Sequence, residues 1–87
     1  MRITYDSEVD VLYIRLRDVP SRDSMDVEED GVRVDLDDDG HIVGIELLDA
    51  SERLSSKELS HVTYEDLVSE KKAKLSLPAV LKPTKAS

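Results

Sequence analysis

The feature that most constrains the fold is a run of alternating apolar and polar residues from Val32 to Leu47, centred on Asp39-Gly40. A two-residue type I′ turn at Asp39-Gly40 sets the side chains of the two flanking strands opposite one another. The predicted pairs are Val32 with Leu47, Arg33 with Glu46, Val34 with Ile45, Asp35 with Gly44, and Leu36 with Val43. Because successive side chains point to opposite faces of a strand, a slip of one residue would turn the aliphatic set to solvent. The pattern therefore predicts a β-hairpin of fixed register, with a surface ion pair between Arg33 and Glu46.

The same segment also matches the spacing of an EF-hand calcium loop. The matching candidate cation ligands are Asp35, Asp37, Asp39 and Glu46. A calcium loop needs about six to eight oxygen atoms around one point and a helix on each side, whereas these flanks alternate with the period of strands. We interpret the segment as a hairpin whose structural turn is Asp39-Gly40. Weak cation binding by the four carboxylates is the alternative.

Three further segments show the alternation of strands, with turn-forming residues between them. They are residues 2–6, 11–17 and 25–28. With the central hairpin they predict an antiparallel β-meander of four to five strands. Gly44 is isolated within a strand, which indicates a bulge or a close approach of another group.

Helices are expected after the last strand, so the predicted class is α+β with one or two C-terminal helices. Asp49 or Ser51 can cap a short helix that reaches Leu54. Thr63 stands three residues before Asp66, as in a capping box, and predicts a helix over about 64–75. We therefore divide the chain into a meander-plus-helix domain, 1–60, and a C-terminal helix with a mobile Lys-rich tail, 61–87.

Charge is distributed unevenly along the chain, whose net charge is −8. Residues 1–70 carry 20 acidic and 7 basic side chains, whereas residues 71–87 carry five lysines and no acid. These lysines form a candidate partner-binding tail: Lys71, Lys72, Lys74, Lys82 and Lys85. Because the acidic body repels phosphates, we do not expect nucleic-acid binding.

Composition narrows the setting of the protein. The absence of cysteine excludes disulfides and thiol chemistry. No apolar run approaches the roughly 18 residues that cross a bilayer, and the first residues lack a signal-like apolar region. We expect an unprocessed, cytoplasmic protein without membrane contact. Because Phe and Trp are absent and the apolar supply is thin, we also expect self-association, with a dimer favoured.

Candidate catalytic groups are few. His41 and His61 are the imidazoles of the chain, and neither lies in a recognisable metal or acid–base motif. Ser55, Ser56 and Ser60 lack the glycines of a nucleophile elbow and are typical of loops and helix caps. We expect no enzyme activity and no cofactor.

Several spaced motifs carry a resemblance to a known family. They are Tyr5-Asp6, Asp10 to Leu16, Val34 to Asp37 with Gly40, Val43 to Glu46, and Asp49-Ala50-Ser51. Together they resemble the domain of unknown function 2283 family, small bacterial proteins, over about residues 2–54. The resemblance implies a β-meander followed by a helix, and it implies no established chemistry, cofactor or catalytic residue. Some members are thought to lie beside putative toxins, which suggests an antitoxin-like role by analogy.

Two hypotheses of function follow. The first is a non-catalytic, acidic protein-interaction module. The second is an antitoxin whose residues 64–87 fold onto a basic toxin or bind operator DNA through their lysines.

Overall fold

The structure is a computed structural model that describes residues 1–28 and 31–76. Its elements form two antiparallel sheets joined by two short helices. In chain order they are β1 (Arg2–Asp6), β2 (Val11–Arg15), β3 (Asp23–Glu28), β4 (Val32–Leu36), β5 (Ile42–Leu48), α1 (Ala50–Arg53), α2 (Ser56–Ser60), β6 (His61–Glu65) and β7 (Lys72–Ser76). Among the described residues, no helix has the length and apolar character needed to span a membrane.

The first sheet has five strands in the order β1-β2-β5-β4-β3, so the predicted antiparallel β-meander is confirmed. It consists of two runs of sequential hairpins, β1–β2 and β3–β4–β5. The connection from β2 to β3 crosses the sheet, and β5 therefore pairs with β2 as well as with β4. The last strand of the sheet in sequence is thus its central strand in space.

The register of the central hairpin is confirmed over four of its five predicted pairs. β4 and β5 align Val32 with Leu47 and continue in the predicted register to Asp35 with Gly44. The predicted two-residue turn and the fifth pair are wrong. The loop has three residues, Asp38 to Gly40, and Leu36 pairs with Ile42. A bulge at Val43 absorbs the extra residue, because two residues of β5 there oppose one of β4.

The turn is wider because the side chain of Asp37 organises it. Asp37 Oδ1 accepts the backbone N–H groups of Asp39 and His41, each at 2.9 Å. The N–H of Gly40 donates to Asp37 O at 3.1 Å, and Gly40 adopts φ +82°. This is a three-residue hairpin loop closed by a residue in the left-handed region, for which glycine is suited.

The apolar face of the five-stranded sheet carries the core. Val34 and Val43 are buried on it, and Ala50 and Leu59 of the two helices complete the buried apolar set of the described residues. The α2 helix begins with a capping box, in which Ser55 Oγ accepts the Glu58 N–H and the Glu58 carboxylate accepts the Ser55 N–H. At α1 Asp49 occupies the predicted N-cap position, but its backbone is left-handed and its side chain makes no capping hydrogen bond, while the alternative cap, Ser51, lies within the helix.

The opposite face of the sheet is polar and is organised around Gly44. Tyr13 on β2 lies across Gly44 and donates its hydroxyl to Asp35 Oδ2 at 2.8 Å on β4. The predicted close approach at Gly44 is thus confirmed. On the same face, Arg33 Nε lies 3.0 Å from Asp26 Oδ1 on β3, so its ion pair is with Asp26 rather than with Glu46 across the strands.

The predicted helix over 64–75 is wrong, since β6 and β7 form an antiparallel hairpin there. Asp66 Oδ1 accepts the N–H groups of Val68 and Ser69, and the Asp66 N–H donates to Lys71 O. A short acceptor side chain satisfies N–H groups in a tight turn as readily as at a helix start. The architecture is therefore mostly β with short helices, instead of α+β with a long C-terminal helix.

The arrangement at Gly44 predicts a specific packing conflict. A Cβ at position 44 would lie 2.2 Å from the Tyr13 hydroxyl oxygen and 3.0 Å from the Ile14 carbonyl oxygen. We expect Gly44→Ala to lower the free energy of unfolding by about 1–3 kcal/mol, the usual cost of overpacking. Urea denaturation measures this change.

The double variant Gly44→Ala with Tyr13→Val provides the control for this conflict. Because the tyrosine ring is then absent, the two losses should be clearly less than additive. If the losses of unfolding free energy are additive, the destabilisation by Gly44→Ala does not come from a clash with Tyr13.

Candidate functional site

An open apolar groove of about 640 Å³ lies between the five-stranded sheet and the β6–β7 hairpin. We call it the groove, and the β6–β7 hairpin the arm. The groove is lined by Met1, Ile3, Tyr5, Leu12, Ile14, Glu58, Leu59, His61, Val62, Thr63, Tyr64 and Leu75. Ligand and partner sites are typically concave and mostly apolar, so this groove is the candidate functional site.

The first wall of the groove follows from the alternation of β1 and β2. Ile3 pairs with Ile14 and Tyr5 pairs with Leu12, so the four side chains project from one face. Their neighbours Thr4 and Tyr13 form a pair on the opposite face. The predicted apolar faces of these strands thus become one side of the groove.

The second wall is formed by α2 and the arm. Val62 pairs with Leu75 and Tyr64 with Ala73, which gives the arm one face of predominantly apolar character. Val62 is half-buried, whereas Tyr64 is 69% and Leu75 is 56% exposed. This wall therefore presents apolar surface that the described residues leave accessible.

His61 fixes the start of the arm. Its Nδ1 lies 2.8 Å from Lys57 O and 3.0 Å from Ser60 Oγ. Its Nε2 lies 3.2 Å from Ser76 Oγ on the other strand of the arm. His61 thus connects α2 to both strands of the arm and acts as a positioning residue of the groove wall.

A buried carboxylate joins the first wall to the start of α1. Asp10 is 4% exposed and has φ +59°. It accepts hydrogen bonds from the Tyr5 hydroxyl at 2.7 Å, from the Ser51 N–H at 2.9 Å and from Ser51 Oγ at 2.7 Å. Its backbone carbonyl accepts the Ala50 N–H at 3.0 Å. Asp10 therefore holds the beginning of α1 against the β1–β2 hairpin.

Burial and the adjacent Asp10 carboxylate raise the pKa of Tyr5 to about 12. The phenol therefore remains protonated at neutral pH and can donate to Asp10. Reasoning from the sequence missed this cluster of Tyr5, Asp10 and Ser51. The available signal was that all three belong to the spaced motifs that carry the family resemblance.

The candidate cation ligands are brought together only in part. Asp37, Asp39 and His41 place one ligand atom each within 4.8 Å of one another. Asp35 is instead bound to Tyr13, and Glu46 lies opposite Arg33. The interpretation of this segment as a β-hairpin is confirmed, and weak cation binding stays a prediction.

Three of the five lysines proposed as a partner-binding tail lie in the described part of the chain, on the arm. Lys72 and Lys74 lie on β7, where they pair with Glu65 and Thr63 across the arm. Lys71 belongs to the turn of the arm. Lys82 and Lys85 lie outside the described residues, so the role of the tail stays a prediction.

Comparison with known proteins identifies a family from the part of the chain that contains the first five strands. The model of a family described as proteins of unknown function, DUF2283, matches residues 2–51, and the chain belongs to this family. Its match includes Tyr5, Asp10 and Ser51, and ends just before α2 and the arm. No curated protein and no solved structure was found to match the chain.

The hydrogen bond from Tyr5 to Asp10 predicts a loss of stability in Tyr5→Phe. Asp10 is buried and would lose one donor, which should cost about 1–3 kcal/mol in the free energy of unfolding. The raised pKa also gives a pH dependence. The protonated phenol stabilises the folded state below pH 10, and this contribution is lost as pH rises from about 10 to about 12.

Urea denaturation between about pH 8 and pH 11 tests both effects. In Tyr5→Phe we expect lower stability at pH 8 and a smaller decline above pH 10 than in the wild type. Tyr13, whose pKa is also raised, remains in the variant. If the loss of stability above pH 10 is the same in Tyr5→Phe as in the wild type, it does not come from Tyr5.

Asp37 predicts an acid-sensitive hairpin loop. The N–H of His41 and the guanidinium of Arg17, 2.7 Å away, lower the pKa of Asp37 to about 2. A lowered pKa stabilises the fold above pH 3.8, and the contribution is lost as pH falls towards 2. Asp37→Asn should therefore show a weaker dependence of stability on pH over this range. Asp18→Asn, at a fully exposed carboxylate, is the control and should keep the wild-type dependence.

Proposed function

We propose that this protein is a non-catalytic, acidic protein-interaction module that binds a partner protein through the groove. The observation that carries the proposal is the open volume of about 640 Å³ between two apolar walls. Exposed apolar surface of this kind, bordered by polar residues, is typical of sites at which proteins associate.

The distribution of exposed side chains supports a protein ligand. Met1, Tyr64 and Leu75 stand at the groove and are each more than half exposed. A few residues, most often Trp, Tyr and Arg, supply most of the binding energy in protein interfaces. Tyr64 is the residue we expect to contribute most.

The titratable groups at the groove support a non-catalytic role. The Tyr5 hydroxyl donates to Asp10, and the Glu58 carboxylate caps α2. The two nitrogens of His61 lie in contacts with α2 and with β7. Each group thus fixes local structure. General acid–base catalysis instead requires a group positioned to exchange a proton with a substrate.

Charge supports the choice of ligand class. Residues 1–60 carry 17 acidic and 7 basic side chains, a net −10. A surface of this sign disfavours phosphate backbones, which favours a protein over a nucleic acid as the ligand. The apolar groove then supplies the contact itself.

The arm occupies part of the segment that the antitoxin hypothesis assigns to the toxin or to DNA. Residues 64–76 belong to a formed β-hairpin, which leaves 77–87 of the segment expected to fold on a toxin or bind DNA. Those eleven residues lie outside the described part of the chain. An antitoxin-like role therefore stays a hypothesis that identification of the groove's partner would test.

Site-specific photo-cross-linking in the producing cells tests the proposed function. The photoreactive residue p-benzoylphenylalanine is placed at position 64 in one chain and at position 68 in another. Val68 is the matched control, because it is 96% exposed on the arm's turn and does not line the groove. We expect a discrete protein adduct from position 64 and none from position 68.

The adduct is then identified by mass, and binding is measured with the purified partner. Tyr64→Glu should weaken this binding at least about tenfold, as expected for an anchor residue, and Val68→Glu should leave it unchanged. Absence of an adduct from position 64, or equal adducts from both positions, would overturn the proposed function.

A further inference from the structure

We propose that the partner at the groove is a second copy of this chain. Two copies would pack groove to groove about a two-fold axis, so that Tyr64 of each enters the groove of the other. This inference rests on the proposed function, because it names the occupant of the same site.

The charge of the arm supports a second copy. Residues 61–76 carry three acidic and three basic side chains, whereas residues 1–60 have a net charge of −10. Two acidic bodies repel each other, and the cost of their approach is smallest where the contact surface is neutral. The neutral arm therefore lowers the electrostatic cost of bringing two copies together at the groove.

The shape of the site also fits a two-fold interface. Such an interface uses the same surface on both subunits, so this surface must be complementary to itself. The groove provides a concave apolar volume, and Tyr64 provides an exposed aromatic side chain at its margin. A two-fold axis places the protruding Tyr64 of each copy opposite the groove of the other.

The alternative of pairing two copies through the β7 edge is disfavoured by its lysines. β7 carries Lys72 and Lys74 on one face. Two β7 edges in antiparallel contact would bring these lysines together, and lysine on an edge strand is a known barrier to such pairing. The apolar face of the arm is free of this conflict, since it consists of Val62, Tyr64, Ala73 and Leu75.

The size of the core gives the association a physical reason. The buried apolar side chains of the described residues are Val34, Val43, Ala50 and Leu59. Small domains bury a low fraction of their surface, and oligomerisation is one of the ways in which they gain stability. Burying Ile3, Tyr64 and Leu75 against a second copy would enlarge the core around the groove.

Sedimentation velocity of the full-length chain over a range of micromolar concentrations tests this inference. We expect the wild type to sediment with twice the monomer mass of 9.8 kDa. Tyr64→Glu should shift the protein to monomer, and Ile3→Asp should do so from the opposite wall of the groove. Val68→Glu adds the same charge as Tyr64→Glu at a more exposed apolar residue, and it should leave the dimer intact.

Circular dichroism and thermal unfolding at concentrations below dissociation show whether each variant is folded. A dimer that survives Tyr64→Glu and Ile3→Asp in folded protein would overturn the groove-to-groove arrangement. A dimer that is lost equally in Val68→Glu would also overturn it.

Cross-linking from position 64 separates this inference from the proposed function. An adduct with the mass of two chains supports both. With a monomeric wild type, an adduct to a different protein overturns the second copy and leaves the proposed function standing. A cross-link within one chain to residues 77–87 assigns the groove to the chain's own C-terminal segment and overturns both.

Discussion

The pairing of β5 with both β2 and β4 is the constraint on which the rest of the structure depends. β5 is the last strand of the sheet in sequence and lies at its centre, so the sheet is complete only when residues 42–48 are in place. Val43 is fully buried, and its carbonyl oxygen accepts the Leu16 N–H at 2.8 Å. Gly44 lets Tyr13 lie across the strand and reach β4. β5 thereby joins both halves of the sheet through its backbone hydrogen bonds, through buried Val43 on one face and through Gly44 on the other.

The groove is a consequence of how the chain leaves that strand. Asp10 binds the start of α1, and α2 then leads through His61 into the arm, which returns over β1 and β2. The two walls therefore come from opposite ends of the described chain. Asp10 holds α1 on the first wall, and His61 joins α2 to the arm within the second wall, while the surfaces that the walls present are apolar. Polar groups position this site, and apolar groups are available for contact.

The arm shows where local reasoning fails. Thr63 and Asp66 have the spacing of a capping box, yet Asp66 closes a turn and Thr63 lies in a strand. A side-chain oxygen accepts N–H groups both at a helix start and in a hairpin turn, so the apolar pattern must decide between helix and hairpin. Val62 and Tyr64 on one strand, and Ala73 and Leu75 on the other, repeat every second residue and meet across the hairpin. This alternation is present in the sequence, but each strand offers only two apolar residues. So short a pattern is weaker evidence than the capping-box spacing unless the pairing of the two strands is known.

The sequence by itself determined an antiparallel β-meander of four to five strands and four pairs of its central register. The register could be predicted because the alternation of aliphatic residues over Val32 to Leu47 is a local, periodic signal. The sequence also determined the close approach at Gly44 and the family. Only the tertiary structure decided the crossing connection from β2 to β3, which leaves β5 at the centre of the sheet, the cluster of Tyr5, Asp10 and Ser51, and the groove. These features join residues far apart in the chain, and no periodicity within one segment encodes which distant surface it will meet.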